Sequence, residues 1–520
     1  MSRGGQIAAV YALLALVAVP IYAHFTSPNE LSRWALAAAV VEDHGLEVSR
    51  YAALLGPGFE DLAVANGRTY SNKAPGGTLA ALPGYLLARP LAGPPGPEAI
   101  RPALQGMRLF GATLPLVVLA LLVDRAARRL GASDEGRRRA VFALLFATPL
   151  FAYGLLLFAH ALVACALFGA FSALFLSWPG KEKRDDLVAG AWIGLAVAAD
   201  TTAALPGLVL IVAAARRDLG RLTRIAAGGL PFALLVGAYN GLCFGSPFSP
   251  SYAFEKNAAY GQVASRGIFG VTLPSLLGLL RLLFDPARGL LLFVPALVLV
   301  PKALGSLRRS LGPDGFVASV LVPVSILLLF SGYPNFGGWT VGPRYVVGAL
   351  PFLVLPLAFA RSGALAAVLV GASTAAVVGT TIPFPFVPDG FAAPWGSFAL
   401  PLLEGGVGLP LAFGGAPGPA GIAIPLVLVG AASVLAFPRR RLVPLVAGAV
   451  LWWGGGLLPG AFGRPDPVRR LQVAYMREVY LDRSGALEEL IRTLPAGTQV
   501  PSGLLLRRDR ERALPPPAWR

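Results

Sequence analysis

Between residues 140 and 178 the chain carries no Asp, Glu, Lys or Arg. An uncharged apolar stretch of this length is enough for two membrane spans with a tight turn between them, near residues 153–160. Arg137, Arg138 and Arg139 stand before it and Lys181, Lys183 and Arg184 behind it. The alternation of apolar run and basic loop recurs down the chain. Basic clusters stand at Arg125–Arg129, at Arg216, Arg217, Arg221 and Arg224, at Lys302, Arg308 and Arg309, at Arg361, and at Arg439, Arg440 and Arg441. Positive loops gather on the cytoplasmic side of a membrane, so this pattern orders the spans as well as marking them. It predicts an all-α, polytopic integral membrane helix bundle of about thirteen transmembrane helices. The first is residues 7–25, a retained helix with a cytoplasmic N-terminus.

Composition agrees. Of 520 residues, 55% are hydrophobic and 14% charged, with a mean hydropathy of +0.66. The net charge of +17 is explained by cytoplasmic loops facing anionic lipid, so no nucleic-acid partner is expected. The two cysteines, Cys165 and Cys243, lie in apolar runs and read as small core residues. There is no P-loop, GxGxxG, HExxH or CxxC.

Against this basic background residues 26–78 form a locally acidic first loop, expected to be extracytoplasmic. It holds Glu30, Glu42, Asp43, Glu47, Glu60 and Asp61, with Arg33, Arg50, Arg68 and Lys73. Leu31, Trp34, Leu36, Ala38 and Val41 predict an amphipathic helix lying along the membrane surface, started by Pro28 and closed at His44 and Gly45. Residues 78–91 read as an interfacial or re-entrant helix and residues 103–123 as the next true span. Residues 187–215 read as two short helices meeting at Asp200. Two domains follow: residues 1–460 as the membrane domain, with the candidate site in 26–78, and residues 461–520 as a tail. In the tail Leu487, Leu490, Ile491 and Leu494 predict a short amphipathic helix. Its side of the membrane is left open, because residues 442–458 can be read as a last span or as an interfacial segment.

The order of features resembles the GT-C superfamily of membrane glycosyltransferases, in the branch of protein O-mannosyltransferases and the lipid A aminoarabinose transferase. The residues that carry the likeness are Asn29-Glu30 where that branch has an acidic pair, Lys73-Ala74-Pro75 where it has K-P-P, and Arg108-Leu109 leading into the second span. The helix pair around Asp200 is similar too. The resemblance implies transfer of a sugar from a polyprenyl-phosphate donor to an extracytoplasmic acceptor (glycan, lipid or protein) in the cell's inner membrane. It also implies a departure, since the family's catalytic carboxylate falls on Asn29. An amide does not accept a proton at neutral pH, so the base is sought elsewhere in the loop.

Asp61 is expected to be that base, because Glu60 beside it and partial burial would both raise its pKa. Glu30, next to a helix N-terminus, is expected to stay ionised and position substrate. Lys73 and Arg344 are candidate clamps for lipid phosphate, with Trp339, Tyr345 and Arg108 completing the binding set. His160 reads as a satisfied polar residue, and Asp200, in an apolar run, needs a partner. No cofactor is expected. The position before Lys73, acidic and a possible metal ligand in some relatives, is Asn72, so nothing supports a divalent metal. Two alternatives remain: a transporter or flippase of lipid-linked saccharides, and a catalytically silent relative.

Overall fold

The uncharged run lies at the centre of the molecule. In the computed structural model residues 140–174 are almost wholly buried, with Phe142, Phe146, Phe151, Phe168 and Phe171 all sealed from solvent. Here the absence of charge reflects protein on every side rather than lipid alone. The structure describes residues 2–457, 467–481 and 487–492, apart from short breaks at 23–24, 26, 57–58, 60, 268–269, 335–336, 390 and 414–416. Glu60, Leu494 and most of the tail therefore lie outside the described residues.

Helices dominate. The first part of the chain runs α1 (Arg3–Val17), α2 (Pro28–Glu42), α3 (Ser49–Leu54), a hairpin β1 (Leu62–Ala65) and β2 (Arg68–Ser71), α4 (Pro75–Ala92), α5 (Pro97–Arg108), α6 (Leu114–Arg129), α7 (Asp134–Phe146), α8 (Leu150–Tyr153), α9 (His160–Phe175), α10 (Glu182–Ala199), α11 (Ala204–Ala215) and α12 (Leu219–Phe244). The rest runs α13 (Ala258–Ala264), α14 (Leu276–Phe284), α15 (Leu290–Phe293), α16 (Val300–Leu311), α17 (Pro313–Ser331), α18 (Leu350–Val354), α19 (Ala364–Thr381), α20 (Leu400–Glu404), α21 (Ala420–Ala436), α22 (Arg439–Leu457), α23 (Pro467–Val479) and α24 (Leu487–Arg492).

Among the described residues four helices are long and apolar enough to cross a membrane: Pro97–Arg129, Leu219–Phe244, Pro313–Ser331 and Ala364–Thr381. Five more apolar helices are shorter. Thirteen crossings were expected, and helix length and composition support four. Part of the difference is proline. Pro351 and Pro356 divide Arg344–Phe359 into 3-10, α and 3-10 pieces, since proline removes a donor and clashes with the preceding turn.

One expectation for the first loop is corrected. Residues 30–39 of α2 are buried on all faces, so this Ala-rich helix is packed inside the outer structure and does not float on a membrane surface. Residues 78–91 fall within the single helix α4. It runs antiparallel to α5, and a Cβ on Gly84 would meet the Gly106 carbonyl oxygen at 2.0 Å. The two backbones touch at a point where only glycine fits.

The loops sort into two ends. At the basic end Arg137 pairs with Asp124 at 3.0 Å, and Arg221 and Arg224 both hold buried Asp186, at 2.7 and 2.9 Å. Arg139 donates to the carbonyls of Leu357 and Ala360, closing the end of the 3-10 turn Leu355–Phe359. At the other end lie α2, the hairpin, the loop after α12, and an aromatic cluster in which Phe25 stacks on Trp339 (centroids 5.6 Å) and meets Tyr480. Tyr480 follows α23, so this part of the tail sits at the first-loop end of the bundle. Cys165 and Cys243 are both free and buried, as expected.

Candidate functional site

The hairpin builds the site. Asn66 and Gly67, with φ of +51° and +74°, supply the two left-handed residues that a tight two-residue hairpin turn needs. Register then follows: Leu62 pairs with Ser71, which sets Asp61 beside Asn72 at the open end. A further bridge joins Ala63 to Glu255, and the Lys256 N–H donates to the Leu62 carbonyl at 2.8 Å. Residues 183 positions apart in the chain thereby meet.

At this meeting point Lys73 Nζ donates to Asp61 Oδ1 at 2.6 Å. Asn72 Nδ2 donates to the same Asp61 oxygen at 2.6 Å and to both oxygens of Glu255, at 2.9 and 3.1 Å. The amide is oriented from behind. Its oxygen accepts from Ser32 Oγ at 3.4 Å, while Ser251 Oγ donates to the Asn72 main-chain carbonyl at 2.8 Å. The amide nitrogen stands between the two carboxylates.

The titration of the two acids differs. Burial alone would raise Asp61, but Lys73 and Asn72 outweigh it and hold the carboxyl below its usual range. The expectation that Asp61 is raised is thus reversed; the cause is a lysine fixed in hydrogen-bonding contact. Burial does raise Glu255, and the opposing pull of Asn72 and Lys73 leaves it at about 7.

Arg33 and the start of α4 complete this wall. Arg33 is buried and donates through Nη1 to the carbonyl and side-chain oxygens of Asn29. Asn29 is therefore placed as a partner of Arg33. Arg33 lies within electrostatic reach of Tyr252, Asp61 and Asp200. A Cβ on Gly77 would stand 3.2 Å from Arg33 Nε, and one on Gly76 would meet the Ala198 backbone at 2.5 Å. The first turn of α4 thus fits between Arg33 and the end of α10. Arg33 Nε and Thr78 Oγ1 are both shielded from solvent and make no hydrogen bond among the described residues. Buried donors left in this state favour an anionic ligand, as does the adjoining helix N-terminus.

Arg344 faces the cluster from the opposite side, within reach of Asp61. Its guanidinium lies over the rings of Tyr345 and Phe158 at 4.9 and 5.6 Å, its Nη2 donates to Tyr345 Oη at 3.1 Å, and its Nε has no partner among the described residues. A narrow cleft descends from here. His160, Asp200, Thr202 and Tyr345 form its polar lining, and Val163, Leu167, Ile326 and Phe330 its apolar lining. Asp200 accepts from the N–H and hydroxyl of Thr202, so it caps the short turn Thr201–Ala203. His160 packs edge-on to Tyr153.

Three expected site residues have other tasks. Glu30 is 0% exposed. It takes two 2.7 Å hydrogen bonds from Arg108 and one of 2.6 Å from the Leu157 N–H. Glu30 and Arg108 thus form a buried strut between α2 and α5, beside a small pocket that they line with Phe25, Ser27 and Phe386. Trp339 is spent on the stack with Phe25. Glu255, unremarked in the sequence, joins through a β-bridge that no local pattern announces.

No family model and no curated protein matches the sequence. Solved structures do match the fold. ArnT from Cupriavidus metallidurans bound to undecaprenyl phosphate superposes with a TM-score of 0.50 at 16% identity, over 87% of this chain and 75% of that one. The same protein in the apo state gives 0.49 at 14% identity, over 91% and 80%. The oligosaccharyltransferase of Archaeoglobus fulgidus gives 0.44 at 14%, over 95% and 58%. The chain has the fold of the GT-C membrane glycosyltransferases.

Proposed function

We propose that the protein is a membrane glycosyltransferase that takes a sugar from a polyprenyl-phosphate donor and passes it to an acceptor at the first-loop end of the bundle. The observation that carries this reading is the set of buried cationic and hydroxyl donors without partners, Arg33 Nε, Arg344 Nε and Thr78 Oγ1, around the Asp61–Lys73 pair. Lys73, Arg33 and Arg344 bind the lipid phosphate and offset the charge that grows on it as the sugar departs. The apolar lining of the cleft below His160 suits the first isoprene units of the carrier. A fold shared with a protein solved with undecaprenyl phosphate bound supports the same donor class. The first loop faces outward and the arginine-rich loops face the cytoplasm, in keeping with the positive-inside rule.

A transporter is the less favoured reading. Its ionisable groups belong near mid-bilayer on broken helices, whereas here the buried ion pairs collect at the two ends of the bundle.

The test is turnover. The purified protein in lipid vesicles is incubated with polyprenyl-phosphate pentoses and hexoses labelled in the sugar. Release of free polyprenyl phosphate from one donor of the panel is the expected result. Movement of intact donor across the vesicle bilayer, with no release, would instead establish the transporter.

A further inference from the structure

Given the transferase reading, we infer that Glu255 is the proton acceptor of the transfer and Asn72 is the residue that positions it. The inference begins with elimination by geometry. Among the described residues of the site, Glu30 is closed off by Arg108 and the Leu157 amide. Asp61 is bonded to Lys73 and Asn72, and Asp200 caps its own turn. Asn29 is an amide. Glu255 makes its side-chain hydrogen bonds with one neutral group, the Asn72 amide, and is partly exposed on the loop after α12.

The surroundings suit a base. From the hairpin side Asn72, Lys73 and Asp61 face Glu255. From its own loop Tyr252 is within reach, and from the end of α17 so is Tyr333. Lys256, the next residue, turns its Nζ away to the Phe59 carbonyl at 3.1 Å. Among the described residues no cation is bonded to the carboxylate, yet Lys73 stands one residue beyond Asn72, on the phosphate side. Glu255 thus lies at the edge of the cation cluster, where an acceptor hydroxyl would approach the sugar. With its pKa raised to about 7, the group is partly ionised near neutral pH and basic enough to take a proton.

The step balances without a co-reactant. The acceptor oxygen forms a bond to the anomeric carbon. The bond from that carbon to the phosphate oxygen breaks, with its electron pair going to the phosphate. The hydroxyl proton passes to the Glu255 carboxylate and from there to solvent. The added negative charge on the polyprenyl phosphate faces Lys73, Arg33 and Arg344.

The experiment uses the full-length protein in vesicles and the labelled polyprenyl-phosphate sugar that the wild type turns over. Glu255→Gln should lower turnover by about a hundredfold or more, the usual scale for loss of a general base, while binding of polyprenyl phosphate stays within about twofold of wild type. The wild-type rate should rise with pH through about 7 and level off above it. Asn72→Ala removes a hydrogen bond that favours the ionised form, so the acid limb should move to higher pH; a purely structural role would leave it in place. Wild-type rate and pH profile retained in Glu255→Gln would overturn the assignment while leaving the transferase reading intact. A wild type that releases no polyprenyl phosphate from any donor would overturn both.

Discussion

Two buried clusters of charge, one at each end of the bundle, are built on opposite plans. At the basic end Asp186 lies between Arg221 and Arg224, and both arginines bond to it. Charge there is matched to charge, and the cluster fastens α10 to α12. At the first-loop end Lys73 is matched to Asp61, but Arg33 and Arg344 keep unpartnered nitrogens and Glu255 is held by an amide. A structural cluster satisfies itself because an unpaired buried charge is costly. A binding site keeps groups in hand for a ligand. The Glu30–Arg108 strut, close to the second cluster, matches charge to charge as at the basic end, while Arg108 Nη1 stays unpartnered among the described residues.

Substitutions can break this contrast. The largest effect is expected from Lys73→Ala, which removes the phosphate cation and leaves Asp61 buried without its partner. Turnover should fall by about two orders of magnitude or more, the scale seen when a transition-state donor is lost, and Lys73→Arg should retain more. Equal activity in both variants would reduce Lys73 to an anchor. Arg108→Ala should act on folding instead. Breaking a buried ion pair costs about 3–5 kcal/mol, read as a lower unfolding temperature in detergent, with normal turnover per folded molecule. Lost chemistry in protein of unchanged stability would return Arg108 to the binding set. Asp186→Asn should be milder, at about 1–3 kcal/mol of stability, because its two arginines are partly exposed, and it should leave turnover unchanged.

Several parts of this arrangement are legible in the chain. The alternation of arginine clusters and apolar runs identifies the two ends, because positive residues cost least on one side of a bilayer. Pro28 announces α2, and the polar step at Asp200 separates α10 from α11. The Asn66–Gly67 turn is also written locally, and it goes unused when the loop is read by charge alone. Once it is drawn, Asp61, Asn72 and Lys73 fall together. Other features have no local trace. Glu30 and Arg108 are 78 positions apart, and their pairing depends on how α2 meets α5. Glu255 reaches the site through one backbone bridge to β1, which only the folded chain reveals. Hydropathy does not distinguish a helix in lipid from one surrounded by protein, as the central run 140–174 is.

The central claim is that the cluster at the first-loop end holds a lipid phosphate. Native mass spectrometry of the detergent-solubilised protein with added polyprenyl phosphate tests it most directly. The wild type and Asp186→Asn are predicted to retain one molecule of polyprenyl phosphate with equal affinity, and Lys73→Ala to lose it. Equal retention by all three proteins, or weaker binding in Asp186→Asn than in Lys73→Ala, would contradict the account.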